Sequence, residues 1–221
     1  MKFDLNEEVE KIKKNKNFKL LEKVIEENLF HKKETTHYHC IRTYEIARKN
    51  IDGNFITNKA AKGEYDKYVN QIIDGVRKKD LMQIAALIHD IGKIIKFKGY
   101  KEINTTLADG STLAPEHGYW GSLIVGETLK DTNLTKAQVE YIANIVNVHN
   151  DAWEVWLDND LSLEERLWRF KLSLHNLHIE VFFNIYCDLY YASAFKRNLK
   201  YPIELLNMTE AYSPLKIGYI D

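Results

Sequence analysis

Apolar positions recur along this chain at helical spacing. Leu81, Ile84, Ala85, Leu87 and Ile88 fall at near-helical spacing, and the positions between them are hardly more polar. A helix that is apolar almost all round is expected to be buried. This one runs into His89-Asp90 and then Gly92, which suits a helix stop. Burying an imidazole and a carboxylate costs roughly several kcal/mol unless something pairs with them, and a divalent metal ion is one such partner. Adjacent helical residues point about 100° apart, so an ion reached by both must lie near the helix end. For an isolated His-Asp pair the plain alternative is a capped helix end with ordinary hydrogen bonds.

Other stretches carry the same period. Val9, Ile12, Leu20, Leu21, Val24, Ile25 and Leu29 form a broken stripe among Lys and Glu over residues 1–34. These read as one or two helices packed on the outside of the domain. Thr35 and Thr36 offer caps for a helix through His37, His39, Ile41, Tyr44, Ile46 and Ala47. Residues 50–64 hold Asp-Gly and a polar cluster, so they read as a loop, with a short helix from about Tyr65 to Val76 after it. Residues 99–116 lack a helical period. Asp109-Gly110 there is a weak hairpin signal, and a loop of this length suits enclosure of a substrate. A helix follows through Leu123, Ile124, Val125 and Leu129. Thr135 and Gln138 have the spacing of a capping box ahead of Val139, Ile142, Ile145, Val146 and His149. Residues 151–161, with Trp153 and Trp156, read as a loop whose rings either pack or wall a pocket. Helical periods return over 162–175 and 177–197, with Arg166, Arg169 and Lys171 at the surface and His175 and His178 structural. Pro202 and Pro214 mark 199–221 as an extended tail.

Composition narrows the class. The chain has 221 residues, 45% hydrophobic and 12% aromatic, enough for a sizeable core. Three Pro and ten Gly are few turn formers for an all-β protein, so an all-α fold is expected. A net charge of -1 draws the chain neither to nucleic acid nor to membrane, although a local basic patch stays possible. No apolar run approaches the roughly 20 residues of a membrane span, and the Lys/Glu-rich start is not that of a signal peptide. Cys40 and Cys187 make no disulfide framework and read as packing residues, with a reduced cytoplasmic compartment as the default. Without repeats, low-complexity tracts or linkers, one domain over 1–221 is the economical reading, its core at about 35–197.

The run Ala85-Ala86-Leu87-Ile88-His89-Asp90-Ile91-Gly92-Lys93 resembles the central motif of the HD-domain superfamily of metal-dependent phosphohydrolases. The pattern His39-x-x-Arg42-Thr43-x-x-x-Ala47 resembles the opening ligand helix of these domains, and its spacing favours His39 over His37. His117, followed by the small Gly121, resembles the third His position of two-metal members. His149 fits the fourth, and Asp188 with Ser193 the closing Asp. This chain has Gly118 where many members have Glu, and Asn150 where some relatives carry a second His. The resemblance implies a helical bundle, into which the loop or small hairpin read near 99–116 would be an insertion. It implies one ion on His39, His89, Asp90 and Asp188, and a second on His117 and His149 bridged by Asp90. Four imidazoles and two carboxylates suit Mn, Fe, Co, Ni or Zn better than an all-oxygen Mg site.

The expected activity is hydrolysis of a phosphoester of a nucleotide or another small phosphorylated substrate. Lys93 would hold a phosphate oxygen, Arg42 would add positive charge and Trp153 would contact the substrate, with Lys96 and Lys98 in solvent. Ligand order alone does not separate this from a diiron oxygenase resembling inositol oxygenase, which uses the same six ligands. A nuclease acting on short single strands is a further alternative, supported by Lys93–Lys98 and the two Trp; the near-neutral charge argues against long nucleic acid. A non-catalytic module would be expected to have lost ligands, and none of the six is missing.

Overall fold

In a computed structural model, residues 3–26, 34–98, 105–106, 112–113, 116–151, 161–174, 176–191 and 199–214 are described. The apolar run around Leu81 becomes the axis of the fold. Helix α5 (Lys78–Ile88) buries every residue from Leu81 to Ile88. Each of its fully buried Leu and Ile side chains contributes about 1.5–3 kcal/mol of transfer free energy. Around it pack α3 (Thr36–Asn50), α4 (Lys59–Val69), α7 (Lys136–Val148) and α9 (His178–Leu189). Helix α6 (His117–Thr128) lies against α7 and against the 3-10 stretch Ile91–Lys98 that continues from α5. Helix α8 (Leu163–Ser173) precedes α9. Among the described residues the strands form only two-residue antiparallel hairpins. None of the described helices is long and apolar enough to cross a membrane. The expected all-α class is therefore the observed one.

Local signals account for the helix starts. The Thr35 hydroxyl accepts from Tyr38 N–H and opens α3. Thr135 and Gln138 form the expected capping box of α7. Ser162 and Glu165 do the same for α8. The small hairpin expected near 99–116 is present as β5 (Thr105–Thr106) and β6 (Thr112–Leu113), with Thr105 opposite Leu113. Cys40 and Cys187 are buried and not joined in a disulfide, as packing residues.

Several expectations need correction. Residues 1–34 do not merely coat the domain. Helices α1 (Leu5–Lys14) and α2 (Lys16–Leu20) send Val9, Ile12 and Phe18 into the main core, and Leu21 follows from the 3-10 turn after them. The polar cluster at 50–64 concealed the start of α4, because Asn58 is its cap, accepting from Ala60 and Ala61 N–H. The helix stops at Val69, and β3 (Ile72–Ile73) and β4 (Val76–Arg77) turn back at Asp74-Gly75. Both turn residues have positive φ, at 47° and 85°, the conformation a two-residue hairpin loop requires. The tail is not extended over its described part. It forms α10 (Lys200–Leu206) and a 3-10 turn (Thr209–Tyr212), which bury Leu205, Leu206 and Ala211. Pro202 sits in the first turn of α10, where a missing N–H is not missed. Arg166 and Lys171 are buried rather than on the surface. Lys171 Nζ donates to the carbonyls of Glu210 and Ser213, and Arg166 Nε to that of Leu161.

Candidate metal centre

The four histidines and two aspartates come from five separate elements. His39 is in the first turns of α3, and His89 and Asp90 close α5. His117 opens α6, His149 follows α7, and Asp188 lies near the end of α9. His39, His89, Asp90 and His149 are buried.

Three glycines make this convergence possible. A Cβ on Gly92 would lie 1.8 Å from the His117 carbonyl oxygen. One on Gly118 would lie 2.5 Å from the Asn147 carbonyl oxygen, and one on Gly121 2.8 Å from Val146 Cγ1. Backbones of α6, α7 and the 3-10 stretch therefore touch where any side chain would hold them apart. This corrects the reading of Gly92 as a helix stop. The chain continues helically through it, and its lack of a Cβ serves close approach rather than a turn. Gly118 meets the same demand against α7.

The donors fall into two groups that can each hold an ion: His39, His89 and Asp188, and Asp90, His117 and His149. In the first, His39 Nε2 is 3.2 Å from His89 Nε2 and 2.9 Å from Asp188 Oδ1. In the second, His117 Nε2 is 3.2 Å from His149 Nε2 and 3.0 Å from Asp90 Oδ1. The other carboxylate oxygen of Asp90, Oδ2, faces the first group, 3.4 Å from His89 Nε2 and 3.6 Å from His39 Nε2. Ligand atoms about 2.1 Å from a shared ion lie about 3.0 to 3.4 Å apart, at right-angle or tetrahedral geometry. The donor spacing fits that requirement, and the donor chemistry fits a divalent transition metal.

Outer contacts orient the rings. His89 Nδ1 is 2.9 Å from the Ala86 carbonyl, and His149 Nδ1 is 2.7 Å from that of Val146. Donating an Nδ1–H to these oxygens leaves the Nε2 lone pair aimed at the centre. His39 Nδ1 faces Glu34 Oε1 at 3.8 Å, and Glu34 Oε2 accepts from Arg42 Nη1 at 2.9 Å. Glu34 was missed in the sequence because it lies in β2 (Glu34–Thr35), outside any helical period.

Electrostatics favour a cation here. Burial opposes charge on Asp90, but Lys93, His89 and hydrogen bonds from His117 and His149 hold its carboxyl well below the usual range. Burial opposes charge on Asp188 too, yet His39 keeps it ionised. Burial likewise works against a proton on His89, but Asp90 and Asp188 raise its pKa to about 9. His149 goes the other way, to about 4, because burial dominates and the neighbouring imidazoles reinforce it.

The remaining expected residues divide. His37 stays out of the centre, tilted against Phe18 with ring centroids 5.0 Å apart and facing Glu22 at 3.9 Å. Lys93 Nζ lies 2.7 Å from Asp90 Oδ2. Arg42 is paired with Glu34 and lies over the Tyr191 ring at 4.2 Å. His178 is structural as expected, bonded to the Ala211 carbonyl. Trp153, Trp156, His175 and Ser193 lie outside the described residues.

Comparison with known families bears directly on this constellation. The HD domain model matches residues 36–170, well over half of the chain. The chain belongs to the HD-domain family. Members of this family are generally metal-dependent phosphohydrolases, so at that level the chain is a metal-dependent hydrolase. The matched span of the HD domain holds His39, His89, Asp90, His117 and His149, while Asp188 lies beyond it on α9. No curated protein matches the chain.

Proposed function

We propose that this HD domain hydrolyses a phosphoester of a nucleotide or a related small phosphorylated substrate in the cytoplasm. On this reading His39, His89, Asp90 and Asp188 hold one divalent transition-metal ion, and Asp90, His117 and His149 hold a second. The observation that carries it is the division of the Asp90 carboxylate, with Oδ1 toward one group of donors and Oδ2 toward the other. Bound ions supply an activated water and neutralise charge on the transferring phosphoryl group.

The chain's own groups then have distinct work. Asp90 is buried and ionised, so it sets the relative placement of both positions. Backbone carbonyls of Ala86 and Val146 fix the tautomers of His89 and His149. Lys93 is a cation beside the bridging carboxylate, placed to turn toward a phosphate oxygen where charge develops. Arg42 is engaged by Glu34, which favours a role in positioning His39 over a direct phosphate contact. An open cavity of about 410 Å³ lined by Glu116, Gly118, Tyr119, Asn147, Asn150 and Asp151 adjoins the second group. It offers room for the non-phosphate part of a substrate. Trp153 is proposed as a further substrate contact on sequence grounds.

The test is release of phosphate or nucleoside from a panel of nucleotides and cyclic nucleotides, run anaerobically with Mn2+. Turnover is expected, and Asp90→Ala should lower it by at least roughly 10²–10³-fold while helical circular dichroism is kept. Full hydrolysis by metal-loaded Asp90→Ala would sink the reading. Failure across the panel, with iron bound and oxygen consumed in the presence of an organic substrate, would replace it with the oxygenase.

A further inference from the structure

The two groups of donors are unequal in charge. The first includes the whole carboxylate of Asp188 beside Oδ2 of Asp90. The second has two imidazoles and only the shared Oδ1 of Asp90. Lys93 contacts Oδ2 of Asp90, so the charge it offsets is mainly on the side of the first group, which still keeps the carboxylate of Asp188. At the second group one more side chain reaches the donors. The Asn150 carboxamide places its Nδ2 atom 2.7 Å from His117 Nε2. That is a hydrogen-bond distance, a few tenths of an ångström inside the 3.0 Å and 3.2 Å from His117 Nε2 to its partners in the group, so a small outward turn of the carboxamide brings it to ligand spacing. The nitrogen and oxygen of a carboxamide exchange places by a half-turn about the last side-chain bond, and their assignment follows the hydrogen-bond network. With an ion present, the lone pair of His117 Nε2 is turned to that ion. The carboxamide then gains by presenting Oδ1 to the same cation.

We propose that Asn150 is a neutral oxygen ligand of the second ion, and that the second position binds more weakly than the first and exchanges with the surrounding pool of divalent cation. The inference rests on the reading of the two donor groups as ion positions. Asn150 also lines the open cavity, so the weaker position is the one that opens toward the substrate side. Affinity for divalent cations follows the number of charged ligands, which is why a carboxylate-poor site is the labile one.

The experiment is a titration of metal-free, full-length protein with Mn2+, reading free Mn2+ by its electron paramagnetic resonance signal. Wild type should show two steps at least about ten-fold apart. Asn150→Ala should weaken the weaker step by about 10–100-fold and leave the tighter one in place. Asn150→Asp should tighten the weaker step. Asp188→Asn should weaken the tighter step, which assigns the two. Circular dichroism of each variant reports folding. Two equal steps in wild type, or an Asn150→Ala protein with both steps unchanged, would overturn the proposal. Absence of Mn2+ binding would overturn it together with the metal reading. Two unequal steps with the expected variant pattern in a protein that hydrolyses nothing would uphold it and overturn the hydrolase reading alone.

Discussion

His178 donates from Nε2 to the Ala211 carbonyl at 2.7 Å, within a pocket closed by α9 and the 3-10 turn Thr209–Tyr212. Burial lowers its pKa to about 4; the Ala211 carbonyl opposes this, and Lys171 and Lys78 add to it. The folded state therefore binds the proton less readily than the unfolded chain, where the value is about 6.5. Stability is complete above pH about 6.5 and is lost as pH falls from there toward about 4, by on the order of 3 kcal/mol. Denaturant melts across this window should show a steeper decline for wild type than for His178→Gln, whose amide can still donate to Ala211. A parallel decline in both would refute the assignment. A second contrast concerns glycine. Gly92→Ala drives a Cβ into the His117 carbonyl, so a loss of about 3 kcal/mol is expected, with the ring displaced. Gly126 is an exposed residue of α6 with nothing within 4 Å of its Cβ position, and Gly126→Ala should stabilise by up to about 1 kcal/mol. Equal melting temperatures for the two variants would contradict this account. The sequence makes Gly92 visible but not its reason, since the atom it must avoid is 25 positions away on α6.

At the scale of elements, one buried carboxylate ties four helices together. Glu180 of α9 accepts from Tyr68 of α4 at 2.8 Å and Tyr141 of α7 at 2.6 Å, with Lys78 of α5 at 3.6 Å. Burial and the Glu180 charge keep both tyrosines protonated, their pKa values raised. Removing the acceptor strands a cation and two hydroxyls, so Glu180→Ala should cost about 3–5 kcal/mol by chemical denaturation. A change under about 1 kcal/mol would mean that the pocket refills with water and that the cluster does not hold the helices. Legibility of the elements followed the range of their signals. The α7 box and the Thr35 cap were readable because donor and acceptor lie three residues apart. The polar stretch before Tyr65 hid six helical residues, since α4 is held by one cap and a face packed on the core. Helix α10 escaped for a similar reason, since among the described residues it packs on α9 and on the 3-10 turn Thr209–Tyr212 and buries Leu205 and Leu206.

Over the whole molecule, ion binding and folding should be coupled. The donors come from α3, α5, α6, α7 and α9, and the unfolded chain has no such assembly. Mn2+ at about 1,000 times its dissociation constant would stabilise the fold by about 4 kcal/mol, and chelation would remove that gain. Thermal melts with Mn2+ and then with excess chelator should differ by several degrees in wild type and by less in Asp90→Ala, which keeps the His39, His89 and Asp188 donors. Identical melts in wild type would argue against resident ions. The candidate donors His39, His89, Asp90, His117, His149 and Asp188 could be named without coordinates, because their order along the chain resembles that of the HD-domain ligands. Only tertiary structure decided that Asp90 turns one oxygen to each group, that His37 stays outside, and that Glu34 and Asn150 stand beside the rings of His39 and His117. Those outcomes depend on how closely distant backbones approach, and that distance is set where Gly92, Gly118 and Gly121 let helices touch.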